Sequence, residues 1–260
     1  MTERRLAVVG NPIRHSLSPR LHTAGFSARG WADCRYEALR VDEEHLPTVL
    51  EAFPREGGIG LNVTRPLKTL AAQLATQLDF WAETTAAVNT LVWGPDGWRG
   101  ANTDAPAFRE SLVAHRVTPH TALIWGAGGA ARATWAALTA DGVQTWLAAR
   151  RPGTFAALWL DWDEGIEAAA VVDLLVNATP LGQEGEVGWE RLPRVSRRQV
   201  LVDWVYAPET TPLVGVAREA GAVVISGLEL LVRQASLSWV HWFSEPGPLA
   251  AMGAAVGWAP

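Results

Sequence analysis

The segment Asn62-Val-Thr64-Arg-Pro66-Leu-Lys68 sets an amide, a hydroxyl and an ammonium group on a turn fixed by Pro66, where the apolar run Ile59 to Val63 ends. These groups suit a hydroxylated small molecule and the movement of a proton on it. Ser16-Leu-Ser18 offers two hydroxyls one residue apart, and both can reach one carboxylate. Ser18, followed by Pro19, equally suits the cap of a helix. Asn89-Thr90 and Asn102-Thr103-Asp104 add polar groups near the ends of apolar runs. Taken singly, such residues commonly serve turns and caps. Their collective placement is what points to a site.

A second kind of chemistry starts at Gly126-Ala127-Gly128-Gly129-Ala130-Ala131-Arg132, which fits G-x-G-x-x-A with Ala131 in the third small position. Small residues let a backbone approach a pyrophosphate, and the following helix offers free N–H groups and the positive end of its dipole. A tight strand-to-helix turn without a ligand would use the same glycines, so context decides: a strand must precede the loop and a helix follow it. Sites for NAD carry an acid about 20 residues past the loop. Here the next strand ends Leu147-Ala-Ala149-Arg150-Arg151. Arginines there suit a 2′-phosphate, so NADP is favoured over NAD, the alternative being two solvent-facing arginines. Together the two clusters point to hydride transfer paired with a lysine acid/base.

The elements that must position these groups alternate along the chain. Leu6–Val9, Tyr36–Leu39 and Gly58–Val63 read as strands, and helices are expected over 18–29, 42–51 and 67–78. Gly94-Pro-Asp-Gly97 reads as a hairpin turn between Val88–Trp93 and Trp98–Gly100. A second alternating run begins near Asp104. Its helices are expected over 104–114, 130–140 and from Thr211-Pro212 to Gly221, and its strands over 122–125, 143–149, 173–177, 200–203 and 222–225. The tail from Leu228 reads as helical, broken at Pro246 and Pro248. Repeated βα units imply an α/β fold of mainly parallel sheets flanked by helices, in two domains.

Composition narrows the class. The chain has 260 residues, 48% hydrophobic and 19% charged, as in a globular protein with a sizeable core. A net charge of −5 without Lys/Arg runs lacks the footprint of nucleic-acid binding. The apolar run ending at Gly10 is too short for a signal peptide or membrane helix. Cys34 is the one cysteine, which excludes an intrachain disulfide and fits a cytoplasmic setting. The six histidines show no metal-ligand spacing, so no metal is expected. The 14 tryptophans fit core and edge packing.

In this setting the chain resembles the shikimate dehydrogenases. The matching stretches are Gly10-Asn-Pro-Ile-Arg-His-Ser16-Leu-Ser18-Pro19, Asn62 to Lys68, Ala87-Val-Asn89-Thr90, Asn102-Thr-Asp104 and Gly126 to Arg132, followed by Asn177-Ala-Thr179-Pro-Leu-Gly182, Asp203-Trp-Val-Tyr206 and Gly227-Leu-Glu-Leu-Leu-Val-Arg-Gln234. They span almost the whole chain. The resemblance implies a substrate domain over 1–103 plus 228–260, an NADP-binding Rossmann-like domain over 104–227, and chemistry in the cleft between them. It implies that Ser16 and Ser18 bind the substrate carboxylate, with Tyr206 nearby. Thr64, Asn89, Asp104 and Gln234 take the ring hydroxyls, and Asn62 belongs to the same substrate set. Lys68 is the acid/base, with Asp104 beside it. The loop Gly126–Arg132 holds the pyrophosphate and Arg150 with Arg151 the 2′-phosphate, while Thr179, Trp204 and Gly227 line the cofactor path.

The implied reaction is reversible NADPH-dependent reduction of 3-dehydroshikimate to shikimate, a step toward chorismate and the aromatic amino acids, by a monomer or homodimer. Relatives acting on quinate or an aminoshikimate, a silent NADPH- or shikimate-binding protein, and a folate dehydrogenase are the competing readings. Lys68 and Asp104 together favour catalysis over silent binding, and the Ser16/Ser18 pair with Gln234 suits a carboxylated polyol better than a pterin. Some positions depart from the family pattern: Thr23 for Asn, Ala86 and Ala107 for Gly, Ala149 for Asn, Gln183 and Leu230 for Met, and a bulkier Trp204. Ala149 and Arg151 bear on cofactor preference, Trp204 on the nicotinamide end.

Overall fold

Alternation of apolar strands and amphipathic helices gives two layered α/β units. A computed structural model describes residues 3–153, 155–183 and 188–260. The chain divides into two compact units, Met1–Thr103 with Val232–Pro260, and Asp104–Leu231.

The first unit runs β1 (Arg4–Gly10), α1 (Ser18–Arg29), β2 (Cys34–Arg40), α2 (Leu46–Ala52), β3 (Gly58–Val63), α3 (Lys68–Leu74), β4 (Gln77–Leu78), α4 (Phe80–Thr85), β5 (Thr90–Gly94) and β6 (Gly97–Ala101). Its sheet has the order β2-β1-β3-β5-β6-β4. β1 pairs in parallel with β2 and β3, and β4 with β6, whereas the β5–β6 hairpin brings in the antiparallel pairings. β1 lies inside the sheet between β2 and β3, and Leu6, Ala7 and Val9 are fully buried, as expected of a strand covered on both faces.

The second unit runs α5 (Asp104–Ala114), β7 (Thr121–Trp125), α6 (Gly129–Ala140), β8 (Gln144–Ala148), β9 (Leu158–Leu160), α7 (Trp162–Ala168), β10 (Leu174–Asn177), β11 (Val200–Asp203), α8 (Pro212–Glu219) and β12 (Val223–Ile225). Its pairings are all parallel, in the order β12-β11-β10-β7-β8-β9. Counted within this unit, that is the doubly wound dinucleotide-binding order, whose switch point lies between β7 and β10. Trp125 at the end of β7 is fully buried and meets Trp189 edge-on at 5.3 Å. The chain passes back to the first unit within α9 (Gly227–Phe243) and ends in α10 (Leu249–Ala254).

Some elements differ from expectation. The helix expected over 67–78 stops at Leu74, because Ala75 turns extended (ψ 141°) and Thr76 bonds to the Trp98 carbonyl. Two short helices were not expected, and each starts at an Asp cap: Asp79 accepts from the Ala82 amide, and Asp161 forms a capping box with Glu164. Ser18 is the first residue of α1, and Leu17 occupies the cap position. The capping role open to Ser18 in the sequence is therefore not the one its hydroxyl takes.

Candidate active site

In the first unit the polar residues converge at the ends of β1, β3 and β5. Gly10 lets β1 and β3 finish close together, since a Cβ there would collide with Thr64. The Thr64 amide donates to the Val9 carbonyl at 2.9 Å. Lys68 opens α3, and its carbonyl accepts from the Val88 amide at 2.9 Å, one residue before Asn89. That bond ties the start of the lysine helix to the approach of β5.

Asn89 and Asn62 are buried, each with several partners. The Asn89 side chain accepts from the Thr103 amide at 2.8 Å and donates to Thr103 Oγ1 at 3.0 Å, and it reaches Gln234 Oε1 at 3.5 Å. Asn62 accepts from Tyr36 Oη at 2.6 Å and donates to Ser238 Oγ at 2.9 Å, with the Asn89 carbonyl and Thr90 Oγ1 at 3.2 Å. Asn62 is only 5% exposed. Its side-chain amide is engaged inside the protein. Ser16 Oγ accepts from the Ser18 amide at 3.3 Å. The structure thus groups Ser16, Ser18, Asn62, Thr64, Lys68, Asn89 and Gln234 in the first unit.

Tyr36 and Ser238 belong to this network and carried no functional signal in the sequence, whereas Thr103 lies in the Asn102-Thr103-Asp104 stretch read there as part of a site. Tyr36 lies in a strand pattern and Ser238 within a helix. The spacing of Gln234 and Ser238, four apart and so on one helix face, is the one cue that could have found the latter.

Asp104 follows Thr103 and opens α5 in the second unit. Here the candidate cofactor residues gather at the carboxyl ends of the parallel strands. Gly126 directly follows β7 and has φ +124°; a Cβ on it would lie 2.7 Å from the Ala178 carbonyl after β10. Only glycine allows that approach at the switch point. Gly128 takes the N-cap position of α6, and a Cβ on it would meet open space. As a glycine it brings no capping side chain, so the first-turn N–H groups of α6 face an exposed loop with the helix dipole behind them. Ala127, Gly129, Ala130, Ala131 and Arg132 complete that turn, and the Arg132 guanidinium lies over the Phe155 ring at 5.3 Å.

β8 ends at Ala148, Ala149 is buried, and Arg150 and Arg151 are exposed directly beyond it. Thr179 donates to Asn177 Oδ1 at 2.6 Å, and Asn177 donates to Asp203 at 2.9 Å. Trp204 donates from its indole nitrogen to Thr134 Oγ1 of α6 at 3.0 Å, and Gly227 packs against the Trp204 and Val205 carbonyls. Tyr206 follows on the same loop after β11. A glycine-lined switch point, an uncapped helix start, and two arginines where an acid would mark a bare ribose fit NADP.

Asp203 accepts three hydrogen bonds, from Asn177, Val205 and Thr211. Burial nonetheless outweighs them and raises its carboxyl from 3.8 to about 6. Among the described residues no group of three or more His, Cys, Asp or Glu could hold a metal, and no helix is long and apolar enough to cross a membrane.

Comparison with known proteins agrees with this geometry. Residues 8–91 match the family model for the shikimate dehydrogenase substrate binding domain. A shikimate dehydrogenase (NADP(+)) from Anaeromyxobacter sp. (strain K) is 42% identical, with 96% of this chain and 94% of the relative covered. Another, from Acidiphilium cryptum (strain JF-5), is 38% identical over 92% of this chain and 90% of its own. The shikimate 5-dehydrogenase of Thermus thermophilus, solved with NADP(H) and shikimate, superposes with a TM-score of 0.86 at 32% identity, covering 98% of both chains. The Aquifex aeolicus shikimate dehydrogenase gives 0.88 at 28% identity, covering 98% of this chain and 97% of its own. A polar cluster that ends in a lysine, a dinucleotide-type switch point and relatives matched along nearly their full length converge on one conclusion: the chain belongs to the NADP-dependent shikimate dehydrogenase family.

Proposed function

We propose that this protein catalyses the reversible NADP-dependent interconversion of 3-dehydroshikimate and shikimate, in the cytoplasm. The observation that carries this reading is the network that fixes Lys68 and Asn89 together at the ends of β3 and β5 through the Lys68–Val88 backbone bond.

NADPH, when bound, supplies the hydride for the carbonyl carbon. The chain supplies everything else. Lys68 donates a proton to the carbonyl oxygen in the reducing direction and takes it back from the hydroxyl in the other; a positioned acid/base of this kind contributes roughly 10²–10⁴-fold. Asp104 accepts from a neighbouring ring hydroxyl and orients it. Ser16 and Ser18 donate to the carboxylate, joined by Tyr206, while Thr64, Asn89 and Gln234 take the remaining hydroxyls. Asn62 acts one layer behind, as the acceptor for Tyr36 and donor to Ser238. For the cofactor, the first turn of α6 from Gly126 to Arg132 binds the pyrophosphate. Arg150 and Arg151 pair with the 2′-phosphate, and Thr179, Trp204 and Gly227 line the cofactor path, Trp204 toward the nicotinamide end.

Absorbance at 340 nm with shikimate or quinate, each with NADP and then NAD, tests this reading. Turnover is expected with shikimate and NADP. Turnover with quinate alone would move the protein to the quinate-using relatives, and no signal in any combination would end the enzymatic reading.

A further inference from the structure

Arg132 stands in the first turn of α6, and its guanidinium lies over the Phe155 ring, 5.3 Å from the centroid. A cation is held on an aromatic face at separations up to about 6 Å. Phe155 belongs to the segment between β8 and β9, which also carries Arg150 and Arg151. The Arg132 charge is therefore held against the segment already assigned to the 2′-phosphate.

The ring that holds it is itself fixed by its neighbours. Trp135 follows Arg132 by one turn, on the same face of α6, and meets Phe155 at 5.2 Å and 53°. Trp159 of β9 meets the ring edge-on at 5.1 Å and donates from its indole nitrogen to the Phe155 carbonyl at 3.4 Å. Gly153 leaves room for the ring to fold back on its own segment, since a Cβ there would lie 2.8 Å from it. Arg132 and Trp135 thus clasp the segment after β8 between α6 and β9. Arg150 and Arg151 are exposed on that segment, and among the described residues no carboxylate pairs with either. A third guanidinium brought to these two favours an anion with several oxygens, which planar forked donors match.

We propose that the Arg132 side chain is a third arginine of the 2′-phosphate site, held there by the Phe155 ring, and so a determinant of NADP over NAD. The proposal rests on the use of NADP inferred above. The first-turn amides of α6 serve the pyrophosphate, which both cofactors carry. The Arg132 side chain serves the phosphate that only NADP carries. Phe155 is a positioning residue that acts through Arg132.

Titration calorimetry of NADP and of NAD against the whole protein tests it. Arg132→Ala is expected to weaken NADP binding roughly 10- to 100-fold, the worth of charge-assisted bonds, and to leave the NAD Kd within about 2-fold. Phe155→Leu should weaken NADP binding roughly 3- to 10-fold, and Phe155→Tyr, which keeps an aromatic face, should restore it. In the Arg132→Ala background Phe155→Leu should add little, because the ring acts through that guanidinium. Equal weakening of both cofactors in Arg132→Ala would assign the side chain to the pyrophosphate and overturn the proposal, as would an unchanged NADP Kd. Phe155→Leu weakening NADP and NAD alike, as a general loosening would, overturns the positioning role of Phe155. Wild-type protein that binds NADP no better than NAD overturns instead the cofactor reading on which the proposal rests.

Discussion

The Thr103 amide donates to the Asn89 side chain at 2.8 Å, and Asn89 donates back to the Thr103 hydroxyl at 3.0 Å. This reciprocal pair fixes the backbone one residue before Asp104. In the proposed site Asn89 would therefore have two tasks, one toward a ring hydroxyl and one toward the backbone that leads into Asp104. Asn89→Ala would strand a buried amide and a buried hydroxyl, each costing about 1–3 kcal/mol. We expect a lowered urea midpoint and a fall in shikimate kcat/KM of more than roughly 10-fold. A variant with normal kcat/KM would remove Asn89 from the site.

Ala86 closes α4 in the left-handed conformation, φ 48° and ψ 37°, just before the Ala87-Val88-Asn89 stretch. A Cβ is unfavourable there, which gives a physical reason for the glycine common at this position in the resembling sequences. Ala86→Gly is expected to stabilise the protein by about 0.5–1 kcal/mol in denaturant titration, the reverse of the usual cost of glycine. Destabilisation would show that the helix end is set by something other than this strain.

Arg150 and Arg151 are exposed just past the end of β8. Replacing both by Ala should raise the NADP KM roughly 10- to 100-fold, the worth of one or more charge-assisted bonds. The NAD KM should move little. Equal loss for both cofactors would mean that these arginines do not read the 2′-phosphate.

Asp203 gives the protein a pH signature. Its carboxyl titrates at about 6 in the folded chain against 3.8 ordinarily, chiefly because burial disfavours the charge. The neutral acid is the form the fold favours. Its stabilising contribution is complete below about pH 3.8 and is lost as pH rises through about 6. Asp203→Asn keeps a neutral group and should remove this loss. Relative to the variant, wild type should lose on the order of 3 kcal/mol between pH 4 and pH 7, measured by urea unfolding at each pH. Parallel pH profiles would contradict the buried-acid account.

Much of this architecture was legible because its signals are local. Ser18-Pro19 and Gly30 mark the span of α1, with Leu17 rather than Ser18 at the cap position, and Gly30 adopts the left-handed region at φ 70°. Apolar runs located β3, β10 and β11, since buried parallel strands have little but apolar residues to show. The glycine loop sits between β7 and α6 as its chemistry requires. What escaped was short or distant. α4 and α7 span six and seven residues, too few turns for a periodic pattern, although their Asp caps were readable. The partners of Asn62 were beyond reach for another reason: Ser238 is 176 residues away in sequence, and only tertiary folding pairs them. Asn62 reads as a ligand in the sequence, and in the fold its side chain is buried and bonded to Tyr36 and Ser238.

The central claim is that Lys68 moves the proton on the reacting oxygen. Its most direct test is the turnover number of Lys68→Ala with shikimate and NADP at saturation. Loss of kcat by roughly 10²–10⁴-fold, with shikimate still bound, is the result expected of a missing acid/base. Near-normal kcat in that variant would contradict the account.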